Sequence, residues 1–310
     1  MDIAVVGDLN VDLVLTGLAE LPAYRELRQS TGMRFALGGS SGIFACNAAR
    51  LGASVGFVGK VGDDEFGAFL RRSLADAGVD VSRLKVDPSG ATGICVSMSF
   101  PEDYAMVSYP GIRRSFCLAD VDLDYVRSAR HMHVSGYYLM PAFQPGAAEL
   151  FRRAKEAGLT TSLDPDHDSS GCWDGGIRDV LPSVDFFLPN DHEARHIQWG
   201  RPPGLPDAAG GGALPTPLAR TTVIKLGAEG ALAITREGTV SAPAFPVTPI
   251  DTTGAGDSFD AGFLDAFLRG APLEECLRRG NACGALSTLA LGGTEGFPTP
   301  AQVEEFLRSR

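Results

Sequence analysis

The stretch DTTGAGDSF, residues 251–259, decides how the rest of this 310-residue chain is read. Ahead of the glycines, residues 247–253 are rich in β-branched side chains and predict a strand; after them Phe259, Phe263, Leu264, Phe267 and Leu268 recur at helical spacing. Gly254, Ala255 and Gly256 then form a tight turn leading into a helix. Small residues there leave backbone N–H groups free to face a ligand, and the helix N-terminus adds partial positive charge, so the turn suits an anion such as phosphate. A carboxylate at Asp257 would repel that anion, which makes sense if it takes a proton from an attacking hydroxyl. The plainer reading of Asp257 is an N-terminal cap.

Composition bounds what surrounds this motif. The chain is 44% hydrophobic and 21% charged, enough for one large α/β domain with an added small element. A net charge of −11 with scattered basic residues argues against nucleic acid or an anionic membrane as the main partner. Six cysteines without a CxxC pair predict neither disulfides nor structural zinc and suit a reducing cytoplasm. No run approaches the length of a membrane span, and the N-terminus opens directly on the strand pattern of residues 3–6, so neither export nor a membrane span is expected.

The extended motif DTTGAGDSFDAGF resembles the C-terminal signature of the PfkB, or ribokinase-like, family of carbohydrate and nucleoside kinases. That resemblance implies an α/β fold over residues 1–310, with a central mostly parallel sheet flanked by helices. It also implies a small β-sheet lid drawn from about residues 11–37 and 93–110. Such an enzyme transfers the γ-phosphoryl group of ATP, with Mg²⁺, to a primary hydroxyl of a sugar. Asp257 matches the general base and Gly254, Ala255 and Gly256 the anion hole, while Asp251 and Thr253 match positions that help bind a monovalent cation, often K⁺.

The resemblance extends through the chain. IAVVGDLNVDLVL (3–15) is a buried-strand run followed by polar groups, where ligands of open α/β sheets bind; Asn10 and Asp12 match sugar contacts. The segment 35–67 matches the family's N-terminal motif, with the diglycine Gly38 and Gly39 approaching the sugar and Gly62, Asp64 and Gly67 closing it. Ile43 stands where the family usually has a sugar-binding Asn, and Ser40 where ribokinases often have a lysine, so ribose is expected to be a poor substrate. Alternation over 93–110 predicts an antiparallel hairpin. Lid strands in this family commonly pair across a homodimer interface.

Two motifs point elsewhere. Residues 38–42 satisfy the GxSxG of a hydrolase elbow, centred on Ser40, and residues 192–196 satisfy the HExxH of a zinc protease. The latter is bracketed by Pro189 and Gly200, too short a helix for that chemistry. Asn190 and Glu193 instead match the family's NxxE, which implies a role for Glu193 in the water shell of Mg²⁺; the plainer reading is a capping pair. His131 and His133 alternate on a predicted strand as structural residues, and Tyr137 at its end is a candidate for the substrate pocket. Residues 201–217, rich in proline and glycine, predict a loop. Lys225, Gly227, Gly230 and Asn281 match positions beside the nucleotide. A nucleoside kinase of the same fold is the main alternative and a non-catalytic sugar-binding protein a remote one.

Overall fold

The computed structural model describes residues 1–100, 104–199, 217 and 219–310. In chain order the strands are β1 (Ile3–Gly7), β2 (Asn10–Thr16), β3 (Gly32–Gly38), β4 (Val55–Gly62), β5 (Asp80–Asp87), β6 (Gly93–Ser99), β7 (Tyr104–Tyr109), β8 (His131–Ser135), β9 (Thr160–Leu163), β10 (Phe186–Phe187), β11 (Thr221–Lys225), β12 (Ala231–Ile234) and β13 (Thr239–Ala242). The α-helices are α1 (Ser40–Arg50), α2 (Glu65–Asp76), α3 (Leu123–Arg127), α4 (Gln144–Glu156), α5 (Ile177–Val180), α6 (Asp191–Trp199), α7 (Ala255–Leu268), α8 (Leu273–Ser287) and α9 (Pro300–Arg308).

A nine-stranded sheet runs in the order β13-β12-β11-β10-β9-β8-β1-β4-β5. Pairing is parallel from β5 to β11, and antiparallel where β12 and β13 extend the edge. Parallel strands carry helical crossovers on both faces and so read as continuous apolar runs. In β1, Ile3 and Val5 enter one core while Ala4 and Val6 enter the other. The first core includes side chains of α1, α2, α7, α8 and α9, and the second those of α3, α4 and α5. Because β1 pairs with β8 on one side and β4 on the other, the crossovers diverge there, which opens a crevice beyond the strand ends.

A separate four-stranded sheet, β3-β2-β6-β7, stands over that crevice. Its register sets Asp12 beside Cys95 and Cys95 opposite Ser108, and this row faces the crevice. With a side-chain period of two, the neighbouring row Phe35, Leu13, Val96 and Val107 faces the other way.

One expected element is missing. Residues 247–253 form no strand, although their β-branched composition predicts one. Pro246 and Pro249 have no N–H to give a ladder. The N–H groups of Ile250 and Asp251 instead reach Thr288 O, at 2.7 and 3.2 Å, just past the end of α8. The segment predicted as a loop at 201–217 lies, apart from Pro217, outside the described residues. Among the described residues no helix is long and apolar enough to cross a membrane.

Candidate active site

Helix α7 starts on Gly254, whose φ of +70° is a left-handed conformation. A Cβ there would lie 2.7 Å from Gly293 Cα, so this glycine is required both by conformation and by close approach. The Ala255 N–H donates to Thr252 O at 3.2 Å and that of Ser258 to Gly254 O at 2.9 Å. Between them, the N–H groups of Gly256 and Asp257 find no backbone acceptor among the described residues. Two donors at a helix N-terminus are thus left for a ligand.

Asp257 sits in this first turn and is buried, and its Oδ1 accepts a hydrogen bond from the Ser40 hydroxyl at the start of α1. Burial pushes its carboxyl well above the usual carboxylate range, and the charge of Asp164 adds to the shift. Lys225, at the end of β11, stands beside it. Its Nζ lies 2.7 Å from Asp164 Oδ2 and 3.3 Å from Asp260 Oδ2, and a Cβ on Gly256 would be 3.4 Å from that nitrogen. Burial opposes its charge, but Asp164 and Asp260 hold the ammonium above its ordinary range. Asp164 and Asp166 follow β9; burial, then Asp8 and Asp164, push Asp166 up to about 7. Asp164 and Asp260 carry no signal in the linear sequence, because they meet Lys225 only through the order of the strands and the packing of α7.

Next to this cluster lies a cavity of about 820 Å³, lined among others by Asn10, Asp12, Gly39, Ser40 and Arg113. Gly39 has a φ of +87°, and a Cβ there would fall 2.9 Å from Leu9 Cα. Gly38 lies against Asp12, where a Cβ would reach within 2.2 Å of the carboxyl carbon. A polar chain orders the wall: Arg113 Nη1 donates to Asn10 Oδ1 at 2.8 Å and to Asp8 Oδ2 at 3.3 Å, and Asn10 Nδ2 donates to Asp12 Oδ1 at 2.7 Å. Burial lifts the Asp12 carboxyl to about 6. Asp8 belongs to the polar run after β1 that the sequence marks as candidate ligand contacts, and nothing in the sequence marked Arg113.

Two proposed pocket residues are placed differently. Tyr137 is fully buried, with its hydroxyl donating to Gly175 O at 2.6 Å, and Tyr138 and Leu139 line the cavity instead. Gly136, with a φ of +68°, ends the strand and starts a 3₁₀ turn, so Tyr137 does not continue the strand whose end made it a candidate. Ile43 is buried in the first core and packs against Gly254 and Gly293, away from the residues lining the cavity.

The remaining candidates have clear local partners. Asn190 and Glu193 form a reciprocal cap on α6: the Glu193 N–H reaches Asn190 Oδ1 at 2.9 Å, while Glu193 Oε2 accepts from the Asn190 N–H at 2.8 Å. Burial, reinforced by Asp164, raises the Glu193 carboxyl to about 8. Asp251 accepts from the N–H groups of Thr253 at 2.9 Å and Gly292 at 2.8 Å. Asn281 gives its amide to Ala242 O at 3.0 Å and Pro243 O at 3.1 Å, which braces the segment after β13. Gly227 and Gly230 flank the β11–β12 turn.

The HExxH pair lies on the nine-residue α6, His196 Nδ1 contacts His192 O at 2.7 Å, and no group of three or more metal-binding side chains occurs among the described residues. The GxSxG serine, Ser40, meets a carboxylate where a hydrolase would supply a histidine. His131 and His133 are buried in β8 and share the Ser162 hydroxyl, each at 2.7 Å.

The family model described as "pfkB family carbohydrate kinase" matches residues 1–300. This chain belongs to the pfkB family. Among its relatives, the ATP-dependent ribose-1-phosphate kinase of Halopiger xanaduensis is 30% identical over 306 residues, covering 98% of this chain and 97% of that protein. The 2-dehydro-3-deoxygluconokinase of Bacillus subtilis is 31% identical, covering 88% and 87%. Among solved structures, Arabidopsis thaliana ribokinase complexed with ribose and ATP superposes with a TM-score of 0.82 at 23% identity, covering 99% and 98%. An Escherichia coli protein in complex with ATP and Mg²⁺ superposes with a TM-score of 0.83 at 22% identity, covering 100% and 99%. The fold is therefore ribokinase-like, and this pfkB protein is a carbohydrate kinase.

Proposed function

We propose that this pfkB kinase transfers the γ-phosphoryl group of ATP to a primary hydroxyl of a sugar other than ribose, with Asp257 as the general base. The observation that carries the reading is the arrangement at the start of α7. A buried carboxylate stands next to two N–H donors that find no backbone acceptor among the described residues, and Ser40 links it to the wall of the cavity. The Asp257 carboxylate takes the acceptor's proton while the N–H groups of Gly256 and Asp257 stabilise charge on the transferring group. Asp12, oriented by Asn10 and Arg113, accepts from sugar hydroxyls.

The carboxylates suit a hard, oxygen-seeking cation. Burial, and then neighbouring charges that include Asp164, raises the Asp166 and Glu193 carboxyls, a penalty that a divalent cation bound beside them would relieve. Glu193 would hold Mg²⁺ there through its water shell, and the ion would supply neutralisation of phosphate charge. Asn190, Lys225, Gly227, Gly230 and Asn281 would lie on the nucleotide side. Asp251 and Thr253 sit at the turn that would hold K⁺.

The substrate reading rests on the cavity wall. Cys95, Met106, Leu139 and Pro141 line it alongside Asp12, Arg113 and Arg114, a wall that suits a keto-hexose, or a modified sugar such as a sugar acid whose carboxylate meets an arginine, better than ribose. The outward face of the small sheet, with Met33 70% and Val107 65% exposed, suits pairing with a second copy, and a homodimer is proposed on that ground. All six cysteines are free, as in a reducing cytoplasm. An ADP-release panel of pentoses, hexoses, sugar acids, sugar phosphates and nucleosides, with Mg²⁺ and with or without K⁺, tests the reading. Ribose as the best acceptor by kcat/KM would refute the substrate assignment, and a nucleoside in that place would establish a nucleoside kinase.

A further inference from the structure

We propose that Ser40 is itself a phosphoryl acceptor, so that in the absence of sugar the enzyme phosphorylates its own active-site serine. The inference rests on the kinase reading above and extends it to an activity of the chain on itself. Three observations converge. First, the Ser40 hydroxyl donates to Asp257 Oδ1, which is the contact the proposed mechanism requires of the sugar's acceptor hydroxyl. Second, a serine side chain is a primary alcohol, the same functional group as that acceptor. Third, Ser40 lines the cavity, at the first residue of the 11-residue helix α1, so it is open to an incoming phosphoryl group.

The neighbouring serine provides an internal contrast. Ser41 is fully buried and its hydroxyl is committed to Ser135 O at 3.0 Å. Of the two hydroxyls in the GxSxG stretch, Ser40 therefore has both the base and the opening.

The step balances in the same way as transfer to sugar. Ser40 Oγ forms a bond to the γ-phosphorus of ATP as the bond from that phosphorus to the leaving ADP oxygen breaks. The Oγ proton passes to Asp257, and ADP departs. Phosphoserine at the start of a helix is favoured by the helix dipole. It would also fill the space in which a sugar hydroxyl meets Asp257, so each phosphorylated chain is lost to sugar turnover. A bound sugar displaces the hydroxyl from the base and suppresses the reaction.

The test is intact-protein mass spectrometry of the full chain after incubation with ATP and Mg²⁺ without sugar, followed by peptide mapping. The expected result is the mass of one phosphoryl group, placed on Ser40, absent in Ser40→Ala and in Asp257→Asn, and suppressed by an accepted sugar. Circular dichroism and thermal melting show whether either variant is folded. No added mass in the wild-type chain overturns the proposal, as does added mass that persists in folded Ser40→Ala. Sugar-dependent ADP release by the same wild-type sample separates the two failures. Turnover of sugar without phosphoserine sinks this inference and leaves the kinase reading standing, whereas absence of both removes the reading on which it rests.

Discussion

Lys225 Nζ lies 2.7 Å from Asp164 Oδ2 and 3.3 Å from Asp260 Oδ2, a buried cation joining the ends of β11 and β9 to helix α7. Removing one partner of a buried ion pair strands the others, which typically costs about 3–5 kcal/mol. Lys225→Met is therefore expected to lower the urea unfolding free energy by an amount in that range at pH 7. Without the ammonium, Asp164 loses the partner that holds its carboxyl low, so the folded variant takes up protons readily. The deficit should then shrink as pH falls. A variant as stable as wild type across this pH range would show that the cluster is not a structural pin.

Asp257 must be ionised to accept a proton, and burial places its carboxyl above the ordinary carboxylate range. The acid limb of kcat/KM is thus expected at higher pH than a free aspartate, near 3.9, would produce. The Ser40 hydrogen bond favours the ionised form, so Ser40→Ala should move that limb further up. Asp257→Asn should cut kcat by roughly 10²–10⁴-fold with nucleotide binding retained. A pH profile unchanged in Ser40→Ala would detach Ser40 from the base.

The parts of this site that the sequence revealed are those set by contiguous residues. Gly254, Ala255, Gly256 and Asp257 form a turn and helix start whose geometry is decided within a few residues, and the diglycine at Gly38 and Gly39 is similarly local. Asp164, Asp260 and Lys225 are brought together by strand order, which a linear pattern does not encode. Position at a strand end failed for Tyr137 because the left-handed Gly136 turns the chain before it. Composition failed over 247–253 because β-branched residues predict a strand only where a partner and free N–H groups exist, and Pro249, with Pro246 just before the segment, interrupts the latter.

His131 is buried among Thr160 and Ser162 hydroxyls, and burial drives its imidazole down to about 3. An unfolded chain takes up that proton near pH 6.5, so the unfolded state binds more protons between these values. The contribution of His131 is complete above pH 6.5 and is lost as pH falls toward 3, at up to about 1.4 kcal/mol per pH unit. Carboxyls raised by burial, such as Asp12, oppose this trend, so the comparison must be between variants. In His131→Gln the acid-side slope of unfolding free energy against pH should be reduced by that amount. An identical slope would mean that the histidine is protonated in the folded protein.

Ile43 is packed against the backbone of Gly254 and Gly293, on which a Cβ would come within 3.1 and 2.7 Å of its atoms. An asparagine there places an amide in an apolar site between α1 and the start of α7. A buried polar group without partners costs about 1–3 kcal/mol. Ile43→Asn is thus expected to lower the unfolding midpoint and, by disturbing Gly254, to reduce kcat for every sugar by a similar factor. The ranking of sugars should hold, because the residue does not line the cavity. The ADP-release panel run on both proteins decides this. A selective gain for ribose in Ile43→Asn would mean that the amide reaches the sugar, and that Ile43 belongs to the substrate pocket after all.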